Sequence, residues 1–79
     1  MINIDQKEKK VKILLNKDFY NIEIVRKAAD EFKEFGKFSV SGRDKISILI
    51  ESVDESQIGS IGYEFCNYVL GLMKNEAVV

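Results

Sequence analysis

Isoleucine at three alternate positions, Ile46, Ile48 and Ile50, constrains this chain more than any other feature. Period two places all three on one side of an extended strand over residues 45–53, with Ser47, Leu49 and Glu51 on the other. A strand with one strongly apolar face needs neighbouring strands and a covering layer. Two further segments supply the neighbours. Residues 10–16 alternate Val11, Ile13 and Leu15 with Lys12 and Leu14, and residues 37–41 place Phe38 and Val40 on one face. The turn residues Ser41-Gly42-Arg43-Asp44 join the second and third strands as an antiparallel hairpin.

The covering layer comes from two helical segments. The first spans residues 21–35: Asn21 is a good N-cap, Glu23 sits in the first turn, and Val25, Ala28, Ala29 and Phe32 recur at helical spacing. Gly36 is placed to end it in a left-handed conformation. The second spans residues 55–75, with Asp54 as cap and Gln57 in a capping-box position. The fold expected is α+β, in the order β-α-β-β-α. A three-stranded, mainly antiparallel sheet of order 1-3-2 carries both helices on one face, as in a ferredoxin-like unit lacking its last strand. Order 1-2-3 is the alternative. At 79 residues the chain is a single domain, 1–79, with residues 1–8 and 76–79 expected to fray.

Composition excludes several classes of function. Twelve Lys and Arg against thirteen Asp and Glu give a net charge of -1, with no cationic surplus for duplex nucleic acid. There is no histidine, which removes histidine catalysis and histidine–metal sites, and the one cysteine, Cys66, cannot form a thiolate cluster or an internal disulfide. Cys66 reads as a structural thiol. No apolar run approaches a membrane span, and the N-terminus has no signal-peptide pattern, so a cytoplasmic protein without cofactor, metal or membrane contact is expected. The acids Asp30, Glu31 and Glu34 fall on an exposed helix face, and no catalytic constellation emerges.

Two surfaces are left over. On the second helix, Ile58, Ile61, Phe65, Val69 and Leu72 suffice to pack on the sheet. Tyr63, Cys66, Leu70 and Met73 form a second apolar stripe beside them, and Tyr68 widens it further. This exceeds what one core-facing helix needs, so these residues, with the adjoining Glu64 and Asn67, are the candidate contact to a protein partner or a second copy. The first strand is an edge in order 1-3-2, making Lys10, Lys12 and Leu14 candidates for contact with an extended peptide. The alternative function is a small RNA or single-strand binder using the lysines between Lys7 and Lys17. No predicted outward sheet residue is aromatic, as base stacking requires.

The tract Leu15-Asn16-Lys17-Asp18-Phe19-Tyr20, a helix carrying Ala28-Ala29 and Phe32, two short strands, and Glu64-Phe65-Cys66-Asn67-Tyr68-Val69-Leu70 together resemble the His-Xaa-Ser system protein HxsD family. The resemblance spans residues 11–76. Where that family commonly carries an aspartate and, soon after, an arginine, this chain has Gly71 and Lys74. The resemblance implies a small accessory protein that works beside radical S-adenosylmethionine maturases and a His-Xaa-Ser repeat substrate. It would hold maturase or substrate peptide without itself being the iron–sulfur enzyme. The homodimer expected for this chain rests instead on the wide apolar stripe of the second helix.

Overall fold

The computed structural model describes residues 2–77. Four strands, β1 (Ile2–Asp5), β2 (Lys10–Leu15), β3 (Lys37–Gly42) and β4 (Ile46–Glu51), and two helices, α1 (Ile22–Glu31) and α2 (Ile61–Ala77), follow in the order β1-β2-α1-β3-β4-α2. The fold is α+β, and the sheet is antiparallel throughout, in the order β1-β2-β4-β3.

The three-stranded sheet of order 1-3-2 is therefore corrected to four strands, and the truncated ferredoxin-like description is set aside with it. The added strand lies where fraying was expected. Ile2 and Ile4 alternate with Asn3 and Asp5, and they pair with Ile13 and Val11 on the core side of the sheet. The Asp5 side chain accepts a hydrogen bond from the Glu8 N–H at 3.1 Å, and Lys9 takes a positive φ of 56° to close the hairpin. The Lys9 carbonyl in turn accepts the Val53 N–H at 3.1 Å, tying this turn to the segment that leaves β4.

The sheet buries one face. Val11, Ile13 and Leu15 of β2 and Ile46, Ile48 and Ile50 of β4 meet Val25 and Ala28 of α1 and Ile61, Phe65 and Val69 of α2 in one core. Each fully buried aliphatic or aromatic side chain contributes about 1.5–3 kcal/mol relative to exposure. Phe32 joins the layers at one end, its ring lying 5.3–6.2 Å from those of Phe35, Phe38, Phe65 and Tyr68.

Local chemistry sets the helix ends. The Asn21 side chain accepts the Glu23 N–H at 2.8 Å, the cap its position predicts. α1 ends at Glu31 and the chain tightens into a 3-10 turn, Lys33–Phe35, short of the continuous helix expected to residue 35. Gly36 then adopts φ 166° and ψ -179°, extended backbone rather than the left-handed cap expected. Its glycine character is a packing requirement, since a Cβ there would stand 2.9 Å from the Glu51 carbonyl oxygen and 3.0 Å from Ile50.

The second helix starts later than residue 55. The Asp54 side chain accepts both the backbone N–H and the hydroxyl of Ser56, which lowers its carboxyl pKa. That arrangement is an Asx turn, and residues 55–60 form successive turns before α2 begins at Ile61. At the far end Ala77 closes α2, and Val78 and Val79, expected to fray, lie outside the described residues.

Candidate interaction surface

α2 crosses the sheet with Gly62 against β1 and β2. A Cβ on Gly62 would lie 2.9 Å from Ile2 Cγ2 and 3.3 Å from Val11 Cγ1, so the missing side chain permits the helix to approach this side of the sheet. Cys66, one turn on, and Met73, three turns on, are half-buried on the same flank. Further round the helix, Leu70 is 47% and Tyr63 58% exposed. Glu64 and Asn67 follow next on the circumference, both exposed. The second apolar stripe thus remains partly open to solvent, with its inner residues against the core and its outer residues facing away. Ile4, at the edge of the sheet on its helix side, is also exposed.

Tyr68 does not share this flank. Its ring packs against Phe32 with centroids 5.3 Å apart and planes tilted by 44°, and its hydroxyl donates to Glu31 Oε2, so it belongs to the α1–α2 contact. Burial pushes the Cys66 thiol pKa up, which favours the neutral thiol. Leu72 completes the core-facing side as a half-buried residue.

The expected edge contact is overturned. β2 pairs with β1 over residues 10–13 and with β4 over residues 11–15, so it is an interior strand of the sheet rather than an edge, and Lys10, Lys12 and Leu14 lie within it. Their side chains lie on the face without helices. Lys10 stands opposite Asp5 and reaches Glu51 at 3.9 Å, Lys12 lies between Asn3 and Leu49, and Leu14 lies beside Ser47. Lys17, at the other end of β2, donates to the Arg43 carbonyl at 3.2 Å. The lysines between Lys7 and Lys17 are spread along the whole strand and its turns, and the open sheet face carries no aromatic side chain among the described residues.

Two features escaped the sequence reading. Phe19, in the turn before α1, is 72% exposed. It is held out by the Asn16 turn, whose carbonyl accepts the Phe19 and Tyr20 N–H groups and whose side chain accepts that of Asp18. The second is a groove between α1 and the edge strand β3. Among the described residues, no three of His, Cys, Asp and Glu are placed to hold a metal ion, and no helix is long and apolar enough to cross a membrane. No family model, curated protein or solved structure matches this chain.

Proposed function

We propose that this protein is a small, non-catalytic interaction module of the HxsD type. It acts in the cytoplasm, self-associates, and assists a radical S-adenosylmethionine peptide-maturation system by binding the maturase or its substrate peptide. The observation that carries this reading is the outer flank of α2. Tyr63 and Leu70 stand exposed beside half-buried Cys66 and Met73. Exposed apolar surface of this kind, rimmed by polar Glu64 and Asn67, is characteristic of a protein-contact site. The resemblance over Leu15-Asn16-Lys17-Asp18-Phe19-Tyr20 and Glu64-Phe65-Cys66-Asn67 supplies the system in which such a module would serve.

Light scattering and pull-down with a purified radical maturase and a His-Xaa-Ser repeat peptide test it. The wild type is expected to self-associate or to retain one of these partners, and Leu70→Asp, a change on the exposed side of α2, is expected to lose that association while keeping the helical circular dichroism signal. A strictly monomeric wild type that binds neither partner overturns the reading.

A further inference from the structure

Among the described residues the sheet has two free edges, β1 and β3, and they differ. β1 is four residues long and carries Asp5, the kind of short, charged edge that discourages pairing. β3 is six residues long, pairs among the described residues with β4 alone, and has neither proline nor a bulge along it. Beside β3 runs an open groove of about 760 Å³. Its far wall is one stripe of α1 and the turn after it, Arg26, Ala29, Asp30 and Lys33, at i, i+3, i+4 and i+7. Its near wall is β3, with Phe38 and Val40 on the helix side and Lys37 at the strand's start.

We infer that this groove takes an extended acidic peptide segment, which adds to β3 as a fifth strand. The backbone argument comes first. Alternate N–H and C=O groups of an edge strand point away from its single partner, and an extended peptide satisfies them at about 4.8 Å spacing. The floor argues next. Ala29 is small and nearly buried, and Phe38 and Val40 are half-buried, so alternate side chains of the incoming strand find an apolar strip under α1.

Charge then selects the sequence. Arg26, Lys33 and Lys37 line the groove against one acid, Asp30. The Lys33–Asp30 pair, at 3.8 Å and largely exposed at both ends, is of the kind worth little, so Lys33 remains open to a carboxylate on the incoming strand. Arg26 and Lys33 lie on the helix side and Lys37 on the open side of the sheet, so acids on either face of the added strand meet a cation. A nucleic acid would use the same cations but has no strand backbone to pair with β3, and the aromatic side chain in the groove wall, Phe38, is packed against Phe32 and Phe65 rather than presented for base stacking.

This deepens the interaction-module reading and rests on it only for a peptide being the natural occupant. The probe is a fluorescein-labelled peptide of Val-Glu repeats, which presents carboxylates on one face and can turn either face to α1. Fluorescence anisotropy on the full chain is expected to show saturable binding that weakens with added salt. Amide chemical-shift changes should concentrate on Lys37–Gly42 and on α1. A Val-Lys repeat peptide should bind at least tenfold more weakly. The double variant Arg26→Glu, Lys33→Glu, at exposed positions, should reverse that preference while keeping its circular dichroism spectrum.

The inference fails if the Glu and Lys peptides bind equally, if oligouridylate binds as tightly as the Glu peptide, if the shifts fall on β1 and α2, or if no saturation is reached. Leu70→Asp separates the two claims, because it should leave groove binding unchanged. Peptide binding without α2-dependent association removes the reading of the α2 flank and keeps the groove. Association without peptide binding does the opposite.

Discussion

The ring of Phe32 stands edge-on to that of Phe65, with centroids 5.5 Å apart and planes at 85°. Phe32 follows the last residue of α1 and Phe65 sits in the first turns of α2, so this contact sets how the two helices lie over the sheet. Phe38 of β3 contacts both rings. Phe32→Ala should therefore destabilise the fold by about 3 kcal/mol, and Phe65→Ala, at a fully buried position, by about 4 kcal/mol. Urea unfolding of the single and double variants should give a coupling of about 0.5–1.5 kcal/mol, the excess expected of an aromatic pair. Additive effects would mean that the two rings do not act as a unit.

Asn21 carries the start of α1 by one side-chain hydrogen bond to the Glu23 N–H. Asn21→Ala should cost about 1 kcal/mol, whereas Asn21→Asp keeps the acceptor and should be neutral or slightly stabilising at a helix N-terminus. Thermal unfolding at matched pH checks the pair. Equal losses for Ala and Asp would show that the cap bond contributes nothing.

Two glycines of α2 should respond in opposite directions to the same change. Gly71 faces open space, so Gly71→Ala gains helix propensity and should stabilise by up to about 1 kcal/mol. Gly62→Ala gains the same propensity but drives a Cβ to 2.9 Å from Ile2 Cγ2 and 3.3 Å from buried Val11. It should destabilise by about 1–2 kcal/mol, the usual cost of overpacking. In an Ile2→Ala background most of that cost should disappear, because the nearer obstacle is gone. A Gly62→Ala loss that persists unchanged in this background would place the strain elsewhere.

The sheet was legible in the sequence wherever period two ran long enough. β2, β3 and β4 read directly from Val11-Ile13-Leu15, Phe38-Val40 and Ile46-Ile48-Ile50, each pointing into the core. β1 carries the same alternation in Ile2-Asn3-Ile4-Asp5, but over only four residues, and its turn through Lys9 has none of the glycine or asparagine that usually marks a hairpin. A lysine accepting positive φ there is a tertiary outcome, supported by the Val53 N–H on its carbonyl. Without that turn β2 reads as an edge, and the peptide contact falls on Lys10, Lys12 and Leu14, which lie inside the sheet.

The stripe of α2 was legible for a different reason. A helix wheel fixes which side chains adjoin one another, so Tyr63, Cys66, Leu70 and Met73 fall into one group without reference to any tertiary contact. How far each is covered depends on the strands beneath that flank, β1 and β2, which the wheel does not contain. Tyr68, still 37% exposed, is drawn toward α1 by Phe32 and Glu31, both belonging to α1 or the residue just after it. The groove beside β3 was hidden because its walls come from segments about ten residues apart whose cations look, in sequence, like ordinary surface lysines and arginine.

Cys66 gives the fold a pH dependence whose sign follows from its half-buried position. Burial disfavours the thiolate, so the folded-state pKa lies above the ordinary value of 9.0. Below that value the thiol is protonated in both folded and unfolded chains and contributes no slope. As pH rises through it, the unfolded chain releases its proton first, which stabilises the unfolded state and lowers folding stability until the folded-state thiol also ionises. Lysine and tyrosine ionisation act in the same range, so the comparison must be with Cys66→Ala. The urea midpoint of the wild type should fall more steeply than that of Cys66→Ala above pH 9, while the two curves stay parallel near neutrality. The same burial should make alkylation of the folded protein by iodoacetamide slower than that of the urea-unfolded chain at equal pH. Parallel curves throughout, or equal alkylation rates, would show that the thiol is as accessible in the folded molecule as in the unfolded one.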